Sequence, residues 1–249
     1  MNPSTVDQLK ALRLIGMLEA WSEQQVSPTY HDLTFEERFA LLVEREQLRR
    51  AQQRLQRRLK QAHLGTTASL ADIDFTVPRG LSKSKFLELA QGQWLTEHLN
   101  LILVGPTGVG KTFLASVLAD QCCQRGHTVR YFQCADLILE LKLAKADGSF
   151  QKWQRQLASF SLLILDDWLR DPLSPEQARD LLDLLDGRYR NASCIFTTQL
   201  PVNQWHQQIQ DPTLADAILD RIVHDSLRLV LKGESMRKLT SKVSPQLDS

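Results

Sequence analysis

The spacing of apolar residues changes character partway along the chain. In the first part it is helical. Leu9, Leu12, Ile15 and Leu18 recur every three residues, which predicts a helix from about Thr5 to Gln24. The capping-box spacing of Ser4 and Asp7 opens it, and Pro28 ends any continuation. Thr34-Phe35-Glu36-Glu37 is a second capping box, followed by a stretch without Gly or Pro that runs to His63 or Leu64. Its apolar residues occupy two faces. Phe35, Phe39, Leu42 and Val43 share one; Leu41, Leu48, Ala51, Leu55, Leu59 and Ala62 share another, about half a revolution away at the helical angle. Either the helix breaks near residues 44–47, or one helix serves two partners. Residues 64–80 are rich in Gly, Thr, Ser, Asp and Pro with little periodicity, and read as a linker.

From Leu99 onward, short apolar runs alternate with helical stretches. The runs at 99–104, 128–132, 161–165, 193–198 and 227–231 read as strands. Helices are expected at 82–91, 111–125, 135–145, 150–158, 174–189, 202–209 and 214–223. Such alternation predicts a parallel sheet covered by helices. The expected organisation is a small all-helical N-terminal domain, 1–68, followed by an α/β domain, 69–249.

Charge adds one local feature. Lys and Arg total 30 against 29 Asp and Glu, so the chain as a whole gives no hint of a nucleic-acid partner. Within the long helix, however, Arg45, Arg49, Arg50, Arg54, Arg57, Arg58 and Lys60 fill the face opposite the Leu48–Leu59 stripe, with Glu46 the only acid among them. This is either a solvated face or a track for nucleic-acid phosphates or an acidic partner. The face has no aromatic residue, which argues against base stacking. Cys122, Cys123, Cys134 and Cys194 form no C-x-x-C pair and read as buried free thiols of a reducing compartment. With no leader pattern and no run of membrane-span length, a cytoplasmic protein is expected.

The chemistry centres on Gly105-Pro106-Thr107-Gly108-Val109-Gly110-Lys111-Thr112. This G-x-x-x-x-G-K-T follows an apolar strand and opens a helix, as a phosphate-binding loop requires. The glycines let successive N–H groups turn inward towards phosphate oxygens, and the helix adds its positive end. Lys111 would reach the β- and γ-phosphates of ATP, and the Thr112 hydroxyl would ligate Mg²⁺. Leu162-Leu163-Ile164-Leu165-Asp166-Asp167 is a buried strand ending in two acids. Asp166 is placed to hold Mg²⁺ through water, and Asp167 to polarise the attacking water. Asp167 is one methylene shorter than the glutamate many ATPases use there. Thr198 or Gln199, at the end of a neighbouring strand, suits a γ-phosphate sensor. Arg221 and Arg237 are candidates for an arginine lent to a neighbouring subunit's nucleotide, although position alone favours structural ion pairs for both.

These motifs resemble the IstB family of AAA+ ATPases, which help a transposase in bacterial insertion elements. The resemblance rests on 105–112, Asp166-Asp167-Trp168, Gln199-Leu200-Pro201 with Trp205-His206, the run from Asp211 to Arg221, Gly233-Glu234-Ser235-Met236-Arg237-Lys238, and Phe35-Glu36-Glu37-Arg38. It covers nearly the whole chain. It implies an AAA+ core behind a helical domain, a homo-oligomer with ATP at its subunit interfaces, assembly on duplex DNA without sequence preference, and a partner transposase. By position, Lys111 and Thr112 are Walker A, Asp166 and Asp167 Walker B, the Thr198–Gln199 strand end sensor 1, and Arg221 the arginine finger. Leu169 departs from the family pattern, which has a glycine after the tryptophan, and Thr198 stands where serine is common. DnaC-type helicase loaders share the core, so a loader is the alternative function; an ATP-gated DNA scaffold with little turnover is another.

Overall fold

A computed structural model of the chain describes residues 3–236. It divides into two compact units, Met1–Arg57 and Arg58–Ser249. This division falls inside a helix, upstream of the linker where composition suggests a boundary near residue 68.

In the first unit, α1 (Pro3–Ala11) and α2 (Ile15–Val26) replace the single helix expected from the apolar spacing. The break is at Arg13, whose φ of 56° lies in the left-handed region. Its physical consequence is a fresh helix N-terminus at Gly16 and Met17. Their backbone N–H groups donate to the Glu46 carboxylate at 2.6 and 3.3 Å. A helix start leaves such donors without intrahelical partners, and a carboxylate there also meets the positive end of the helix dipole. Glu46 lies on α3 (Phe35–Ala62), which is unbroken. The two helices approach so closely that a Cβ on Gly16 would lie 2.8 Å from Glu46 Cα.

The start of α3 is as expected: Thr34 Oγ1 accepts the Glu37 N–H, and the Glu37 carboxylate accepts the Thr34 N–H. Neither expected apolar face is used throughout. Leu42 is buried, but Phe35, Phe39, Val43 and Leu48 are exposed. The basic residues divide as well. Arg45, Arg49 and Arg50 pair with Glu23, Glu19 and Glu46. Arg58 donates to the carbonyl of Cys123. Arg54, Arg57 and Lys60 stay exposed.

The second unit contains α4 (Lys83–Ala90), the one-turn α5 (Gln93–Thr96), β1 (Asn100–Val104), α6 (Lys111–Gln124), β2 (Val129–Gln133), α7 (Cys134–Ala146), α8 (Phe150–Ala158), β3 (Leu162–Asp166), α9 (Pro175–Asp186), β4 (Ser193–Thr198), α10 (Pro212–Val223) and β5 (Ser226–Val230). A 3₁₀ segment, Val202–Gln208, takes the place of one expected helix. The five strands form one sheet in the order β2-β3-β4-β1-β5, and every described pairing is parallel. β3 and β4 are buried along their whole length. That explains their unbroken apolar runs, since helices cover both faces of a parallel sheet. The four cysteines are buried and free. Among the described residues no helix is long and apolar enough to cross a membrane.

Two family motifs turn out to be packing devices. Trp168, Phe196 and Trp205 form an aromatic cluster, with Trp168 edge-on to Phe196 at 5.0 Å and to Trp205 at 6.2 Å. The Asp211–Arg221 run is α10 with its cap. Asp211 Oδ1 accepts the N–H groups of Thr213 and Leu214 at 2.9 and 3.1 Å, Pro212 takes the first turn, and Ala215, Ile218 and Ile222 are buried. The α10 end is fixed by Asn100, at the start of β1, whose amide donates to the carbonyls of Arg221 and Ile222.

The Glu46 contact makes a testable stability claim. Burial alone would raise its carboxyl pKa. The hydrogen bonds from Arg50, Gly16 and Met17 outweigh burial and hold it below the ordinary 4.5. Its contribution is therefore present above that value and is lost as pH falls through the lowered folded-state value. Glu46→Gln should cost about 1.5–3 kcal/mol at neutral pH, the range for hydrogen bonds to a charged group. Denaturant titration of both proteins should show this gap closing in acid; a gap that is independent of pH would contradict the assignment.

Candidate functional site

The phosphate loop leaves β1 at Val104 and is held from beneath. The N–H of Gly105 donates to the carbonyl of Thr198 at 3.1 Å, Val109 is buried, and a Cβ on Gly105 would meet the Leu231 carbonyl at 2.8 Å. Pro106 and Thr107 form its exposed crest. Gly108 and Gly110 have φ of 81° and 100°, which side chains disfavour. α6 begins at Lys111, so the unpaired N–H groups of its first turn face the loop. Lys111 is 7% exposed, and its ammonium donates to the carbonyls of Gly105 (2.8 Å) and Pro106 (3.0 Å). Burial lowers its pKa, against the opposing pull of Asp167 and Asp166. A buried cation and a turn of free amides at one point suit an anionic ligand.

The acidic strand brings its first carboxylate to the same place. Asp166 is 3% exposed and accepts hydrogen bonds from three hydroxyls. Thr112 Oγ1 lies 3.0 and 2.9 Å from its two oxygens, Tyr131 Oη donates to Oδ2 at 2.7 Å, and Thr197 Oγ1 donates to Oδ1. Burial, and after it the hydrogen bond to Asp166, pushes the Tyr131 phenol above its ordinary value, so this group stays a donor. Thr197 Oγ1 also accepts the N–H of Asp167 at 3.1 Å.

Asp167 is built differently. Its φ is 55°, its side chain is 33% exposed, and its carboxylate lies 3.6 Å from Arg170. It lines a cleft with Gln133, Cys134, Arg170, Asp171 and Gln177. The thiol of Cys134 is pushed up to about 12 by burial and is chemically quiet. Leu169 has φ of 54° while its side chain is buried. The loop takes a left-handed residue at this position, and this chain fills it with a strained leucine that also packs.

The sensor candidates separate. The Thr198 hydroxyl is fully buried and accepts the N–H of Leu200 at 3.1 Å, fixing the turn after β4. Gln199 is the exposed residue just beyond. Arg221 binds Asp186 at 2.5 Å and is near Asp220 at 3.7 Å. Its backbone is tied to Asn100 at the start of β1, whereas the phosphate loop leaves the end of β1. The strand separates the two by roughly 13 Å at the usual rise per residue. Arg237 lies outside the described residues.

Sequence reasoning passed over Tyr131 and Thr197. Thr197 is a polar residue within an apolar strand, which was a usable signal. Tyr131 gave none, because its role depends on strand register, with Tyr131 opposite Ile164 and Gln133 opposite Asp166.

The donor set suits a nucleotide and Mg²⁺. Thr112 and Asp166 offer adjacent hard oxygens beside the loop, and among the described residues no cluster of three or more His, Cys, Asp or Glu could hold a metal alone. Mg²⁺ bound through one carboxylate, a hydroxyl and substrate phosphates fits this supply.

A parallel sheet in this order, with a phosphate loop after β1 and paired acids after β3, defines a P-loop NTPase core of the AAA+ class. The solved structures agree. DnaI superposes with a TM-score of 0.58 at 22% identity, over 66% of this chain and 90% of that one. AMPPCP-bound DnaA from Aquifex aeolicus superposes at 0.56 with 16% identity, over 70% of this chain and 53% of that one. An insertion sequence ATP-binding protein of Sinorhizobium fredii is 42% identical over 234 residues, covering 94% of this chain and 96% of that protein. The family described as "IstB-like ATP binding protein" matches residues 7–244, and the chain belongs to it.

Thr197→Val keeps the shape of a fully buried side chain but removes one donor from Asp166 and the acceptor of the Asp167 N–H. Asp166 keeps two other hydroxyl donors, so the Asp167 N–H is the group left unpaired, at a cost of about 1–3 kcal/mol. Urea unfolding should show a loss in that range; an unchanged midpoint would mean these bonds contribute nothing net.

Proposed function

We propose that this chain is an ATP-hydrolysing transposition helper, which assembles on duplex DNA and engages a transposase in its ATP-bound form. What carries the reading is the contrast between neighbouring acids: Asp166 locked by three hydroxyls, Asp167 partly exposed at a cleft edge. One is built to hold a fixed position, and the other to meet water.

In this scheme Lys111 leaves the loop carbonyls for the β- and γ-phosphates, and the α6 amides bind the phosphate oxygens. Thr112 and Asp166 hold Mg²⁺, which when bound offsets the phosphate charge. Asp167 orients water and takes its proton as the oxygen attacks the γ-phosphorus. The bond to the bridging oxygen breaks, giving ADP and phosphate. Gln199 or Thr198 senses the γ-phosphate.

Arg221 supports coupling to assembly. Standing at the far end of β1 from its own phosphate loop, it suits a neighbour's nucleotide better than its own. The exposed Arg54, Arg57 and Lys60 suit DNA phosphates.

The test is sedimentation with a random-sequence duplex, with ATP, a non-hydrolysable analogue or no nucleotide. Large complexes are expected only with ATP or the analogue, and Arg221→Ala should abolish turnover while monomeric nucleotide affinity stays unchanged. A chain that remains monomeric on DNA in all three conditions would contradict the reading and favour a DnaC-like loader that needs its helicase. Assembly without measurable hydrolysis would point to the ATP-gated scaffold. Loss of monomeric nucleotide affinity in Arg221→Ala would place that arginine in its own subunit's site.

A further inference from the structure

Tyr131 is the residue at this site that no sequence motif marks. It lies at the middle of β2, an edge strand beside β3, and its phenol reaches the Mg²⁺-side carboxylate Asp166 at 2.7 Å. Two of the hydroxyls on Asp166 come from elements with other duties: Thr112 opens α6, and Thr197 also secures the backbone of Asp167. The Tyr131 hydroxyl donates to Asp166, with the Gln133 side chain as a second hydrogen-bond partner, and approaches from the opposite side of β3 to Thr197.

The other end of Tyr131 is equally constrained. Its ring lies against the backbone of Gly65, where a Cβ would stand 2.8 Å from both Cζ and Oη. Gly65 follows the end of α3, and that end touches β2 a second time: Arg130 Nη1 donates to the Gln61 carbonyl at 3.4 Å. Residues 61–65 therefore set the position of β2 side chains, one of which bonds Asp166.

We propose that Tyr131 is a positioning residue for Mg²⁺-dependent nucleotide binding: its hydroxyl fixes the Asp166 carboxylate, and the bare backbone at Gly65 sets where that hydroxyl lies. The inference rests on the reading of Thr112 and Asp166 as the Mg²⁺ side of an ATP site. It adds that the segment leaving α3 tunes that site through a single side chain. Groups that orient a metal ligand change metal affinity by about 10–100-fold when removed.

The experiment measures binding of a fluorescent ATP analogue, in excess chelator and in saturating Mg²⁺, to the full chain and its variants. Wild type should bind more tightly with Mg²⁺. Tyr131→Phe should lose about tenfold of that gain while its affinity in chelator is unchanged. Gly65→Ala should reproduce the loss, and the double variant should lose less than the sum of the two, as expected for contacting residues. Tyr131→Phe with the full Mg²⁺ gain would overturn the proposal. So would equal losses with and without Mg²⁺, which mark a merely structural residue. A wild type without any Mg²⁺ gain would instead remove the Mg²⁺–ATP reading on which the proposal stands.

Discussion

One buried carboxylate holds the nucleotide site together. Among the described residues Asp166 has no cation within salt-bridge distance, and its lone pairs are filled by hydroxyl donors from three directions: the first turn of α6, the middle of β2 and the end of β4. A carboxylate in such surroundings is costly to bury unless its lone pairs are filled. The arrangement therefore demands that the phosphate loop, the acidic strand and both flanking strands keep one register. Thr112 already faces the carboxylate, and this is the pair through which the proposed Mg²⁺ would be held.

The sheet order places these parts. β1 and β3 are separated by β4, so the loop after β1 and the acids after β3 meet over the end of β4, where Thr197 and Thr198 sit. These two threonines divide the labour. Thr197 serves the acids; Thr198 anchors the turn and, through its carbonyl, the first residue of the phosphate loop. The same β1 strand carries Asn100 at its other end, which fixes the end of α10 that bears Arg221. In the helical unit a comparable logic operates with Glu46, whose carboxylate is filled by two helix-start amides and Arg50.

Much of the α/β unit was legible in the sequence. β4 and α8 coincide with their expected bounds, and α9 begins where its helix was expected, with Ser174 and Gln177 capping it reciprocally. Strong periodicity and caps are local signals. What was not legible depends on distant partners. The α1–α2 break occurs at an arginine in the left-handed region, a conformation that residue type does not announce, and its partner Glu46 lies thirty residues past Gly16. The exposed Phe35–Phe39 face shows that helical spacing of apolar residues identifies a face without saying that it is covered. Tyr131 follows from strand register alone. The basic face of α3 is partly consumed by local acids, which a helical projection of α3 alone could not show because Glu19 and Glu23 lie on α2.

Asp166 is the residue through which the proposed Mg²⁺ would strengthen nucleotide binding. The most direct measurement is calorimetric titration of ATP into wild type and Asp166→Asn, each with and without Mg²⁺. The substitution keeps the size of the side chain and removes its charge. The account predicts that both proteins bind ATP in chelator with similar affinity, and that only wild type gains from Mg²⁺. An Asp166→Asn protein that keeps the wild-type gain would contradict it, and would move the metal site away from the one carboxylate around which these strands are built.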